Sequence, residues 1–249
     1  MFVVPILFAL GLIVGSFIGA LTYRMPKHVS IVSGYQGRSI CPRCKGQIRW
    51  YDNIPLISFL LLKGKCRDCK GKISYREPLI ELGGGFIFAL SFFNTLFPFY
   101  IFILIASVLL AIAVIDIENQ IIPDEIIWVG LSVLLIWYLV SNTSSLYLYL
   151  LTGLSSALFL LLVNLITKGK GMGLGDVKLA ILIGASLSPS LALIWFLVSF
   201  VTGSVIGIML ITLGRANMKA RIAFAPFLII GFLVVSFFGN SLTKLLLPI

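Results

Sequence analysis

The chain has 249 residues, 59% of them apolar and only 11% charged, with a mean hydropathy of +1.10 and a formal net charge of +10. A soluble domain is nearer half apolar and a quarter charged, so the excess apolar surface needs a bilayer; disorder, a secreted disulfide scaffold and a soluble enzyme are excluded. An outer-membrane barrel is excluded because the apolar runs are continuous rather than alternating, and the positive-inside rule accounts for the basic excess without a nucleic-acid partner.

The first apolar run, 2–22, has no basic residue before it, and Arg24 and Lys27 follow it. That order reads as an uncleaved first span with its N-terminus outside, not as a signal peptide. A polar segment, 24–78, comes next. It is the only extramembrane piece large enough to fold by itself, and it holds all four cysteines of the chain as C-x2-C-x21-C-x2-C: Cys41, Cys44, Cys66 and Cys69. The flanks repeat, Cys41-Pro-Arg-Cys-Lys-Gly-Gln-Ile against Cys66-Arg-Asp-Cys-Lys-Gly-Lys-Ile, so the segment contains a duplication. Each C-x-x-C-x-G unit is a knuckle whose two thiolates converge on one metal, with the glycine allowing a tight turn and close backbone approach. Two knuckles supply a tetrahedral sulfur shell that suits Zn²⁺, and a full shell makes the metal structural. A cytoplasmic position argues against the alternative of disulfides. The single histidine, His28, is given no role. With one histidine and no G-x-S-x-G elbow, Ser-His and Cys-His hydrolysis is not expected.

Seven further apolar runs follow: 79–97, 99–115, 125–140, 146–166, 177–187, 191–213 and 222–239. The expected fold is therefore an all-α polytopic membrane protein of about eight transmembrane helices, with a small zinc-binding cytoplasmic loop domain between the first two spans. In that topology every Lys and Arg except Lys244 lies on the inner side or its boundary, including the stretch 214–221, and so do all Asp and Glu residues. The run 177–187 is short: eleven helical residues cover about 16 Å against a hydrocarbon core of about 30 Å. Removing it would put Arg215, Lys219 and Arg221 outside, so it is kept, and its helix must start earlier or dip into protein-lined space. Either choice draws Asp176 towards membrane depth.

Asp116 ends the third span and Asp176 opens the sixth, in Gly173-Leu-Gly175-Asp176-Val-Lys178. Ionisable groups near the bilayer point to function. Two spans separate them, so both emerge on one face. Two facing carboxylates that cannot both ionise share a proton; one then acts as general base on a water, and the other polarises a carbonyl and assists the leaving amine. Bland readings stand beside this one. Asp124, after Pro123, reads as a helix cap; Glu118 and Glu125 read as solvated loop charges; Asp176 is also a possible cap of the sixth span or a partner of Lys178; Asp116 is also a possible boundary residue.

At this point the chain resembles a known family, the type IV prepilin peptidases, bifunctional membrane aspartic proteases with a G-x-G-D motif. The resemblance is carried by Gly15 to Pro26, Cys41-Pro-Arg-Cys44, Trp50-Tyr-Asp-Asn-Ile-Pro55, Gly64-Lys-Cys66-Arg-Asp-Cys69, Arg76-Glu-Pro-Leu-Ile-Glu81, Asp116 with Ile122-Pro123-Asp124, Gly173-Leu-Gly175-Asp176-Val-Lys178 and Ala225-Pro-Phe227. It covers about residues 10–230. Two departures, Arg76-Glu77-Pro78 and Ala223-Phe-Ala-Pro-Phe227, are expected not to touch the aspartates.

The resemblance implies a multi-pass protein of a bacterial inner membrane, serving a type IV pilus or type II secretion system. It would cut the basic leader of a prepilin or pseudopilin after a glycine on the cytoplasmic side, then methylate the new N-terminus with S-adenosylmethionine. Asp116 and Asp176 would be the catalytic pair. Residues 1–98, with the cysteine loop, would belong to methyl transfer, and 99–249 would form the peptidase domain. For the methyl donor only Asp52 and Glu77 stand out, as acids able to hold a ribose or a sulfonium. The rival readings are a proton-coupled transporter with Asp116 and Asp176 as relay groups, and a zinc-ribbon assembly platform without chemistry.

Overall fold

The structure, a computed structural model, describes residues 3–27, 39–141, 146–169, 171–214 and 223–246. His28 and the basic residues Arg215, Lys219 and Arg221 lie outside them. The described residues are helical, with no strand beyond two isolated bridges, Ile40 to Gln47 and Lys65 to Lys72. Five helices are long and apolar enough to cross a membrane: Val3–Lys27, Phe99–Asn119, Leu146–Ile166, Pro189–Thr212 and Ala225–Leu246. The chain divides into two compact units, Met1–Phe92 and Phe93–Ile249.

The first unit is built on α1 (Val3–Arg24) and α3 (Arg76–Ser91), with the short α2 (Ile57–Leu61) in the cysteine insert between them. The two long helices run antiparallel and nearly touch, because glycines meet at the crossing. A Cβ on Gly84 would stand 2.9 Å from the Gly15 Cα, and one on Gly15 would stand 2.7 Å from the Glu81 Cα. Lipid gives helices no hydrophobic reason to associate, so backbone contact through small residues supplies the packing. Phe8 and Phe86 close the seam edge to face at 5.6 Å. Gly84→Leu is therefore expected to lower stability by about 1–3 kcal/mol through overpacking; thermal unfolding in detergent measures it, and an unchanged midpoint would contradict this contact.

The second unit contains α4 (Phe99–Asn119), α5 (Asp124–Val140), α6 (Leu146–Ile166), α7 (Leu174–Gly184), α8 (Pro189–Thr212) and α9 (Ala225–Leu246). As the sequence demands, the sixth-span helix starts earlier than its apolar run, at Leu174, which draws Asp176 into its first turn. It also stops three residues sooner, at Gly184, so it remains eleven residues long. Its small residues let α6 approach, with Gly184 facing Gly153 and Ser156. Tyr138 of α5 donates its hydroxyl to the Ala185 carbonyl at 2.9 Å and satisfies the far end of α7. Trp195 of α8 donates to the Leu228 carbonyl of α9 at 2.8 Å, and Phe102 of α4 stacks with Phe232 of α9. These contacts leave α7 enclosed: Leu179, Ala180, Leu182 and Ile183 are all buried. A half-length helix inside such a shell can carry a carboxylate that lipid would exclude.

Candidate active site and metal centre

Asp116 sits in the last turn of α4, and both it and Asp176 are buried. The α4 backbone stops just beyond it: Gln120 takes a left-handed conformation, φ 55°, and its N–H closes onto the Asp116 carbonyl at 2.9 Å. Residues 121–123 then lead into α5. Ile122 of this turn lies over Gly175, where a Cβ would stand 3.2 Å from the Ile122 side chain. The second glycine of G-x-G-D thus makes room for the α4–α5 turn against the first turn of α7. That packing brings the two carboxyl groups close enough to interact electrostatically.

The two acids are held differently. Asp176 accepts the Gly173 N–H on Oδ2 at 3.1 Å, which caps α7 in the way one bland reading foresaw. Asp116 interacts with the backbone amide of Ala225, at the start of α9. Its Oδ2 is buried and, among the described residues, has no hydrogen-bond partner. A buried carboxyl oxygen left unpaired is costly to keep and points to a function. The Ala225 contact corrects one expectation. The late segment around Ala225-Pro-Phe227 does reach an aspartate, because the fully buried Ala225 opens a helix packed along α4.

Two other expectations are corrected here. Asp124 makes no capping hydrogen bond; Pro123 is the N-cap residue, and the Asp124 carboxylate instead pairs with Lys178 Nζ at 2.5 Å. Lys178 therefore does not pair with Asp176, consistent with residues two apart on a helix facing different ways. The bridge ties the start of α5 to the start of α7. Glu118 and Glu125 are exposed, as expected, but they lie on helices and not in a loop, Glu118 in the last turn of α4 and Glu125 in the first turn of α5.

The insert of the first unit brings Cys41, Cys44, Cys66 and Cys69 together, with all four Sγ atoms within 4.8 Å of one another and no disulfide among them. Cys41 and Cys69 are 3.9 Å apart. A tetrahedral metal with about 2.3 Å metal–sulfur bonds has edges of about 3.8 Å, so the four thiols fit one ion. The duplication is visible in the backbone: the Cys41 N–H reaches the Gly46 carbonyl at 2.9 Å, and the Cys66 N–H reaches the Gly71 carbonyl at 2.8 Å. The left-handed residue of each knuckle, however, is the lysine, Lys45 at φ 60° and Lys70 at φ 55°. The glycines supply space instead of the turn: a Cβ on Gly46 would meet Cys44 Sγ at 3.4 Å, and one on Gly71 would meet Cys69 Sγ at 3.3 Å.

The acids singled out for a methyl donor are both engaged. Asp52 is gripped by the fork of Arg67, with Nε donating at 2.8 Å and Nη2 at 2.6 Å, and those hydrogen bonds hold its carboxyl below the usual carboxylate range. Glu77 pairs with Arg76 at 2.8 Å. Each acid is thus one half of an ion pair with an arginine. Sequence reasoning passed over Glu81, a buried acid on α3 that accepts the Leu56 N–H at 2.8 Å and holds the insert to that helix. Its signal was an acid inside an apolar run.

Residues 9–95 match the bacterial peptidase A24 N-terminal domain, and residues 102–208 match the type IV leader peptidase family. The chain is 35% identical over 242 residues to a prepilin leader peptidase/N-methyltransferase of Bacillus subtilis (strain 168), covering 95% of each chain. It is 32% identical to a protein of the same name from Stutzerimonas stutzeri, over 94% of this chain and 90% of the relative. With the Neisseria gonorrhoeae protein of that name it shares 34% identity, over 90% of this chain and 87% of the relative. No solved structure matches the chain.

Proposed function

The chain belongs to the type IV leader peptidase family, a family of proteases, and we propose that it removes the basic leader of a prepilin or pseudopilin by aspartic proteolysis and then N-methylates the exposed N-terminus. The observation that carries the proteolytic half is the enclosed Asp116–Asp176 pair, with its unpartnered Asp116 Oδ2. In this reading one carboxylate takes a proton from water while that water attacks the carbonyl carbon of the scissile bond. The other carboxyl donates a proton to the carbonyl oxygen, and the proton held by the first then passes to the leaving amine. The unpaired Oδ2 offers the acceptor such a water needs.

In the proposed topology α1 and α3 to α9, the short α7 among them, make up eight passes of an inner membrane, with the N-terminus outside and the insert and the aspartates on the cytoplasmic side. Helices α3 and α5, of 16 and 17 residues, extend about 24–26 Å, and α7 extends about 16 Å. The placement of basic residues supports this orientation. Residues 1–98 serve methyl transfer and 99–249 form the peptidase. Cys41, Cys44, Cys66 and Cys69 hold one structural Zn²⁺, a closed shell with no coordination position for chemistry. S-adenosylmethionine would supply the methyl group; Asp52 and Glu77, each paired with an arginine, are the acids proposed to hold its ribose or sulfonium.

Mass spectrometry of a prepilin before and after exposure to the purified protein tests the proposal, through a lost leader and an added methyl. An intact prepilin would reject the reading and favour a relay role for the aspartates. The Asp124–Lys178 bridge gives a smaller prediction. Both side chains are about half exposed, so Asp124→Ala should cost no more than about 1 kcal/mol of stability. It should slow cleavage far less than loss of either buried aspartate, and the charge-swapped pair Asp124→Lys with Lys178→Asp should recover the lost rate. Thermal unfolding and initial rates check both statements.

A further inference from the structure

We propose that α2 is an interfacial anchor that seats the cysteine insert on the surface of an anionic bilayer. Ile57, Leu60 and Leu61 are spaced i, i+3, i+4 and so share one helix face. They are 55%, 72% and 78% exposed, in a helix of only five residues. Phe59 points the other way, packing against the Tyr75 ring and over Gly64, and Ser58 is buried. The helix therefore has a satisfied inner face and a bare apolar outer one. Trp50, 81% exposed, lies in the preceding turn. Ser58 locks that turn to α2, donating to the Tyr51 carbonyl at 2.7 Å and accepting the Ile54 N–H at 3.1 Å.

Three observations identify a lipid surface as the occupant. First, α1 and α3 run antiparallel, so the chain leaves and re-enters this pair at one end; α1 is long enough to cross a bilayer, which tethers the insert at a membrane face. Second, depth matches. The Leu56 N–H that starts α2 is held by Glu81, five residues into α3, or about 8 Å along its axis. Interfacial helices bury their apolar face to about 5–10 Å. Third, charge matches. Residues 39–75 carry eight Lys and Arg against two Asp, 8 − 2 = +6, and basic segments beside a span are drawn to anionic headgroups. An exposed tryptophan beside aliphatic side chains also suits the headgroup boundary.

The test uses the full chain in nanodiscs of phosphatidylglycerol and phosphatidylethanolamine. The photoreactive amino acid p-benzoylphenylalanine replaces Leu60 in one protein and Asp68 in another. The expected result is a predominant lipid adduct from position 60 and little from 68. Amide exchange across 57–62 should also quicken about tenfold or more in Leu60→Ser with Leu61→Ser, with metal content unchanged, as the helix leaves the interface. Adducts formed at position 60 with a second copy, with another part of the chain or with an added prepilin would overturn the proposal. So would no adduct, or exchange that the double substitution leaves unchanged. If the double variant loses its metal, the crosslinking arm decides alone.

Discussion

Asp116→Asn and Asp176→Asn are each expected to lower prepilin cleavage by about 10³-fold or more, within the range ascribed to general acid–base catalysis acting in both directions. Asparagine keeps the size of the side chain and removes the ability to carry the shared proton. At 176 the amide oxygen can still accept the Gly173 N–H, so the α7 cap survives. At 116 the turn beyond α4 is closed by backbone, the Gln120 N–H on the Asp116 carbonyl, and does not depend on the carboxyl group. Both variants should therefore insert and fold, and their lost activity is chemical. Cleavage rates alongside circular dichroism and thermal unfolding separate the two causes. Near-native turnover in either variant would remove the dyad assignment.

The contrast with Asp124 shows what the sequence could and could not tell. All three aspartates stand beside apolar runs, and spacing alone leaves each with a bland alternative, a helix cap for Asp124 and Asp176 and a boundary residue for Asp116. Asp176 is in fact a cap, yet it is also enclosed; Asp124 is not a cap, but half of an exposed ion pair. Burial decides between them, and burial depends on which helices surround α7, which a hydropathy pattern does not encode. The helices themselves were legible, because apolar runs between polar turns leave the backbone little choice in lipid. The Ala225 amide beside Asp116 was not, since it lies more than a hundred residues along the chain and carries no side-chain signal.

Within the cysteine insert the balance was similar. The duplicated C-x-x-C-x-G pattern foretold the convergence of the four thiols, because each knuckle fixes its own pair. It misplaced the left-handed residue. The lysine before each glycine turns the chain, while the glycine is needed for room beside sulfur. The ion pair of Asp52 was not legible for a related reason. Its partner Arg67 lies between the cysteines of the second knuckle, and folding the repeat brings that guanidinium onto the acid.

Cys41→Ser is expected to abolish metal binding and methyl transfer while sparing cleavage. Four thiols close one shell, and removing a ligand withdraws binding free energy of the order that structural zinc sites use to fold, about 10–16 kcal/mol. Among its described residues the insert has little else to replace it: their regular structure is a 3-10 turn at 50–53, the five-residue α2 and two isolated bridges. The groups around the aspartates, Gly173, Gly175, Ile122 and Ala225, all belong to the unit 93–249, which contains no cysteine. Proteolysis and methylation should also be ordered, because a methyl acceptor amine exists only after the leader is cut. Asp176→Asn should then lose both activities on a full-length prepilin and still methylate a pilin supplied with a free N-terminus. Elemental analysis and mass spectrometry of both substrates give the four readouts. Equal loss of cleavage and methylation in Cys41→Ser, in a protein whose membrane helices remain folded, would mean that the insert also supports the peptidase and that the two activities are not separable.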